Sequence, residues 1–185
     1  KLIMPIKSFL FGLCSLLLFS GCVEVTFPEA MPMNRCDKNQ FPKSWVGDWT
    51  FSQQSDDLDE NLSIHRQYII SGTDQMVLGE GCILRKFSGY LVLSTKSETS
   101  ERWSILFAKR DKDVLHIYNF DGTDKEKAKS WEEVLRESSE NGFETVRKNE
   151  GATDRVREYK LNPEDNKTFR QLIKSGGLTH MGDYV

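Results

Sequence analysis

Imidazoles and thiols, which bind soft metals and act as bases and nucleophiles, are few in this sequence, with three histidines and four cysteines. The histidines are His65, His116 and His180. Metal sites are built from imidazole, thiolate and carboxylate groups at short, recurrent spacings. Each of the three is read as isolated, without a Cys or acidic partner at ligand spacing, so no metal and no cofactor is expected. His65 and His116 fall on expected strands and would meet only through the fold. Cys82 with either histidine would formally make a thiol and a base, but no local signature surrounds it. Gly79-Glu80-Gly81 lacks the Lys and the Ser or Thr that engage phosphate and its metal, and reads as a turn. Asp56-Asp57-Leu58-Asp59-Glu60 offers oxygen ligands of the kind calcium takes, yet lacks the glycine and the terminal glutamate spacing of a calcium loop, and reads as solvated. No catalytic residue is expected, and the chain is read as not an enzyme.

The aromatic residues form a larger set: Trp45, Trp49, Phe51, Tyr68, Phe87, Tyr90, Trp103, Phe107 and Tyr118. Inward-facing residues of a small β-barrel either fill it or line a cavity, and aromatic rings do both. Trp49, Tyr68, Tyr90, Trp103 and Tyr118 are therefore candidates for a ligand pocket or for core.

The elements that must position these groups are mostly strands. Trp45, Val46, Trp49 and Phe51 open a β-like segment, and an acidic loop at 53–60 follows. Residues 63–71 read as one strand closed by Gly72-Thr73-Asp74. Further strands are expected at 75–78, 82–87, 89–95, 102–109 and 114–120, separated by Gly79-Glu80-Gly81, Ser88-Gly89, 97–100 and Asp111-Lys112-Asp113. Gaps this short suit an antiparallel meander, since parallel neighbours need crossovers of a dozen residues or more. Thr123 with Glu126 three residues later is a capping-box pattern for a helix to about 139, carrying Ala128, Trp131, Val134 and Leu135 at helical spacing and stopped by Asn141-Gly142. Residues 153–161 read as a late strand. Asn162-Pro163-Glu164-Asp165 then starts a second helix with Asn162 as N-cap, Phe169, Leu172 and Ile173 on its apolar face, and Gly176-Gly177 at its end. The expectation is a mainly β (α+β) domain, an antiparallel meander or lipocalin-like barrel of about seven or eight strands with two helices.

The N-terminal segment supplies an address. Lys1 and Lys7 precede an apolar run that is too short for a permanent membrane span and ends in Ser20-Gly21-Cys22. A small pair directly before a cysteine resembles the lipobox of bacterial lipoproteins. That resemblance implies acylation of the Cys22 sulfur, removal of residues 1–21 as a signal peptide, and Cys22 as the first mature residue. An ordinary secretory signal or a short anchor helix is the alternative. Residues 22–43 hold Pro28, Pro32 and Pro42 among polar residues and no apolar period, so they are expected to be a flexible lipid-anchored tether, with the folded domain at 44–185. With Cys14 in the signal and Cys22 acylated, Cys36 and Cys82 remain. In an oxidising compartment a disulfide between them is one expectation and two separate thiols the other.

The Gly47-Asp48-Trp49 opening of the first body strand resembles the Gly-x-Trp start of lipocalins, in which the tryptophan plugs the closed end of the barrel. The order of features from Phe41-Pro42 through Gly47-Asp48-Trp49, Gly89-Tyr90-Leu91 and Arg102-Trp103 to Leu161-Asn162-Pro163 is similar to uncharacterised small lipoproteins of Gram-negative bacteria, especially Bacteroidetes. The resemblance implies a fold and a location, and no activity.

With 25 Lys and Arg against 28 Asp and Glu, the net charge of −3 gives no electrostatic reason to expect nucleic acid. Three classes of function remain. The first is a noncatalytic envelope lipoprotein that binds a partner protein or supports an assembly, lipid-anchored on the periplasmic face of the outer membrane. The second is a lipocalin-like binder of a small apolar ligand, and the third an enzyme. The partners expected are the membrane through the N-terminal lipid, and an envelope protein or an apolar ligand.

Overall fold

The computed structural model describes residues 23–52, 61–150 and 153–185, with the side chains at 149, 150, 153 and 154 excepted. Cys22, the signal segment and the acidic loop at 53–60 lie outside the described residues. The elements in chain order are β1 (Glu24–Thr26), β2 (Gly47–Trp49), β3 (Leu62–Ile64), β4 (Tyr68–Ser71), β5 (Asp74–Val77), β6 (Cys82–Phe87), β7 (Tyr90–Lys96), β8 (Trp103–Asp111), β9 (Val114–Asn119), α1 (Lys125–Ser138), β10 (Phe143–Glu150), β11 (Thr153–Leu161), α2 (Asn166–Leu172) and β12 (Thr179–Tyr184). The mainly β class with two helices agrees with the sequence. Among the described residues there are twelve strands in three sheets and no closed barrel: β12-β9-β8-β7-β6, β2-β3-β4-β5 and β1-β11-β10.

The five-stranded sheet is the wall between two cores. Leu91, Val92, Leu93 and Ser94 of β7 are all buried, as a strand covered on both faces must be, and this is why its sequence runs apolar instead of alternating. Val92, Ile105 and Phe107 face the larger core with Phe27, Trp131, Leu135, Leu161, Phe169 and Leu172, beneath the two helices and the three-stranded sheet. Leu84, Leu91, Leu93 and Leu115 face the smaller core, which the four-stranded sheet closes with Trp49, Ile64 and Ile69.

Residues 23–43 are not a tether. Strand β1 pairs in parallel with β11, Glu24 to Glu158 and Thr26 to Lys160, and Phe27, Met31 and Phe41 are core residues. Polar anchors hold the rest of the segment. The Ser94 hydroxyl accepts from Met31 N at 3.1 Å, Arg85 donates to Pro32 O at 2.8 Å and pairs with Asp37 at 2.7 Å, and Arg66 donates to Phe41 O at 2.8 Å. Prolines and missing periodicity mark irregular backbone, and irregular backbone can still be buried when its polar groups find partners.

Four local readings are also corrected. The span 63–71 is a hairpin, β3 and β4, turned at His65 where its N–H donates to Tyr68 O. Helix α1 is capped by Asp124, whose carboxylate accepts from Glu126 N and Lys127 N at 3.1 Å, while the Thr123 hydroxyl donates to Asp121. Helix α2 is capped by Asp165, which accepts from Thr168 N at 2.7 Å, because Asn162 is committed to Arg102. Strand β10, unassigned from sequence, pairs along β11 from Phe143–Leu161 to Glu150–Thr153.

Trp49 is buried in the smaller core; its indole N–H donates to Trp45 O at 2.9 Å and the Arg110 guanidinium lies 5.3 Å over its ring. Trp49→Ala is expected to cost about 3 kcal/mol. An unchanged midpoint in urea unfolding would show that this ring does not support the four-stranded sheet.

Candidate functional site

Strands β9 and β12 bring His116 to His180 and Asp183, which lie far along the chain from it. They run antiparallel, with Tyr118 opposite His180 and His116 opposite Asp183. In a regular strand His180 and Asp183, three residues apart, would point to opposite faces. A bulge between His180 and Gly182 inserts Met181 as an extra residue and cancels that inversion, so His116, Tyr118, His180 and Asp183 share one face. Gly182 fits there because it has no side chain: a Cβ would lie 2.6 Å from Cζ of Phe51.

The Asp183 carboxylate is the hub of this cluster. Its Oδ1 lies 2.6 Å from His116 Nδ1 and 2.6 Å from His180 Nε2. The Tyr118 ring packs against His180 at 5.1 Å and against Tyr90 at 5.7 Å. Partial burial by itself would raise the Asp183 pKa, but the hydrogen bonds from His116 and His180 and their charge outweigh it and hold the carboxyl below its usual value. Burial, the neighbouring Tyr90 and the Asp183 charge push the Tyr118 hydroxyl up. All three polar side chains remain in partial contact with solvent. The reading of His116 and His180 as isolated is thus corrected. A usable sequence signal was present in His180-Met181-Gly182-Asp183, but no strand was expected over these residues, and neither β12 nor its bulge was legible. His65 lies elsewhere, in the turn between β3 and β4 and not on a strand as expected, stacked on Tyr68 at 4.2 Å.

The aromatic candidates do not gather around one cavity. Tyr90 and Tyr118 pack on the larger core, Trp49 belongs to the smaller one, Tyr68 stacks on His65, and Trp103 is tied through its backbone to Phe27 at 2.8 and 2.9 Å. An apolar cavity of about 110 Å³ does lie inside the smaller core, among Phe41, Ile64, Leu84, Leu93, Leu115 and Tyr184, and none of those five candidates lines it.

Cys36 and Cys82 are both free. The bridge between Lys38 and Leu84 is antiparallel, so the chain before Lys38 runs toward Lys86 and carries residue 36 away from Cys82. Of the two expectations, separate thiols hold. Burial pushes the Cys82 thiol up to about 11, which keeps it protonated and unreactive at neutral pH. A groove of about 310 Å³, lined by Cys82 with Lys38, Asn39 and Ile83 among others, is open to solvent. No protein-family model, curated protein or solved structure matches the chain.

Proposed function

We propose that this chain is a noncatalytic bacterial lipoprotein, anchored through acylated Cys22 to the periplasmic face of the outer membrane, whose β-domain binds an envelope partner protein. The observation that carries the reading is where the folded body begins. Val23, the residue after Cys22, already packs against Gly122, and β1 starts at Glu24. Cleavage after Gly21 would therefore leave every described residue in place, and the acylated sulfur would hold the domain directly against the bilayer. No helix among the described residues is long and apolar enough to cross a membrane. Two or more acyl chains are needed for stable attachment, as a bacterial lipoprotein carries.

A barrel-like wrap in the lipocalin manner has support of its own. The backbone of Thr50 and Val185 exchanges two hydrogen bonds of 2.9 Å, joining the chain after β2 to the end of β12, and a tight turn at Gly79 and Cys82 links β5 to β6. The strands then follow one another in the order of an up-and-down barrel around the smaller core. Its cavity of about 110 Å³ is below the several hundred Å³ that a carrier of small apolar ligands requires, which favours a partner protein over a cargo molecule.

Cys22→Ser, expressed as the full chain in a Gram-negative host, is expected to move the protein from the membrane to the soluble fraction. Retention of the variant on membranes after a carbonate wash would refute the anchor.

A further inference from the structure

We propose that His116, His180 and Asp183 form a site for one divalent transition-metal ion of the zinc class, with a fourth coordination position open to solvent. The ligand atoms of the three side chains all lie within 4.8 Å of one another. Two imidazole nitrogens and one carboxylate oxygen are a donor set that suits zinc and its transition-metal neighbours, whereas calcium and magnesium prefer all-oxygen shells.

The arrangement is built into the backbone. His116 and Asp183 are direct cross-strand partners, and the β-bulge at Met181 brings His180 to the same carboxylate. Folding therefore sets all three donors before any ion arrives, which lowers the ordering cost of binding. In the hydrogen-bonded state Asp183 Oδ1 stands 2.6 Å from each imidazole nitrogen. Tetrahedral zinc with bonds of about 2.0 Å separates its ligand atoms by roughly 3.3 Å. The two carboxylate–imidazole contacts must each lengthen by about 0.7 Å, and the two imidazole nitrogens, within 4.8 Å of each other, must come to the same spacing, displacements that half-exposed side chains absorb by small rotations. Against the ion stands Lys109, the partner of His116 on β8, on the same face and exposed. Its ammonium can extend into water, where screening weakens the repulsion. On the β12 side Lys127 of α1 is held away by donating to Leu178 O at 2.8 Å and to the Thr179 hydroxyl at 2.6 Å.

The test titrates Zn²⁺ into the full chain, purified in mild detergent, against a chromophoric chelator. One saturable equivalent is expected, unaffected by excess Ca²⁺ or Mg²⁺. His116→Ala, His180→Ala and Asp183→Asn should each weaken binding by about 10-fold or more, while His65→Ala leaves it unchanged. Ring nitrogen NMR of the unmutated protein provides a second readout that needs no variant. One equivalent of Zn²⁺ should move the His116 and His180 signals together and leave His65 in place. Absence of saturable one-to-one binding, equal affinity in the three site variants, or a shift of His65 alongside the others would each overturn the proposal.

Discussion

Trp131→Ala is expected to destabilise the protein by about 5 kcal/mol, the upper end of the range for emptying a buried tryptophan site. The indole is fully buried where α1 meets the rest of the larger core, edge-on to Phe120 at 5.5 Å and to Tyr159 at 6.2 Å. Its N–H donates to Gly177 O at 3.2 Å, in the wide turn Ile173–Gly177 that follows α2. Gly177 has to be glycine for that approach, since a Cβ there would stand 2.7 Å from the indole nitrogen. One side chain thus ties α1, the end of β9, β11 and the turn into a single core. Truncation leaves a cavity and an unpaired carbonyl at the junction of helix, strand and turn. Trp131→Phe keeps most of the apolar contact and loses only the hydrogen bond, so it should recover more than half of the loss. The check is urea unfolding with the slope held constant. A midpoint that does not move in Trp131→Ala would mean that the helices are not part of the cooperative unit.

The second large effect is expected at Arg102, just ahead of β8. Its Nε donates to the Thr26 hydroxyl at 2.7 Å, and Nη2 donates to Thr26 O at 3.0 Å and to Asn162 Oδ1 at 2.8 Å. Glu158 lies 3.8 Å away and accepts from the Thr26 hydroxyl at 2.5 Å. Both ionic side chains are more than four-fifths buried. Burial lowers the Arg102 pKa while Glu158 and Glu144 raise it, and the guanidinium stays charged at any physiological pH. Arg102→Met is expected to cost about 3–5 kcal/mol, because it strands a buried carboxylate and cuts the fork that fastens β1 and the loop after β11 to the five-stranded sheet. Adding Glu158→Gln to that variant should return part of the loss by removing the uncompensated charge, a coupling that a double-mutant cycle measures. Arg102→Lys should fall between the two, since an ammonium keeps the charge but cannot span Thr26 and Asn162 together. A loss below about 1 kcal/mol in Arg102→Met would show that the β1 segment is held by its apolar residues alone.

The segment Arg102 fastens is also where reading from sequence failed most. Strand β1 is three residues long and parallel to a partner more than 130 positions away, so no local pattern marks it. Strand β10 buries Phe143 at its start and carries Val146 alone among polar residues beyond it, and its conformation is imposed by the ladder with β11. By contrast, β6 to β9 fall close to the expected spans, because each carries enough apolar side chains to announce its own burial and the turns between them are marked by Ser88-Gly89 and Asp111-Lys112-Asp113. The helices were legible in their apolar spacing. Their caps were not, because Thr123 and Asn162 are drawn off by Asp121 and Arg102.

By itself the sequence determined the mainly β class, the antiparallel run from β6 to β9, the two helices and their buried faces. These follow from periodicity and turn chemistry, which act over a few residues. Only the tertiary structure decided that Phe27, Met31 and Phe41 of the segment 23–43 belong to the core, that Cys36 and Cys82 stay apart, and that His116, His180 and Asp183 meet. Those outcomes depend on strand register, and register is a property of two strands at once. A single inserted residue, Met181, turns His180 to the face of Asp183, and a single antiparallel bridge at Lys38 carries Cys36 away from Cys82.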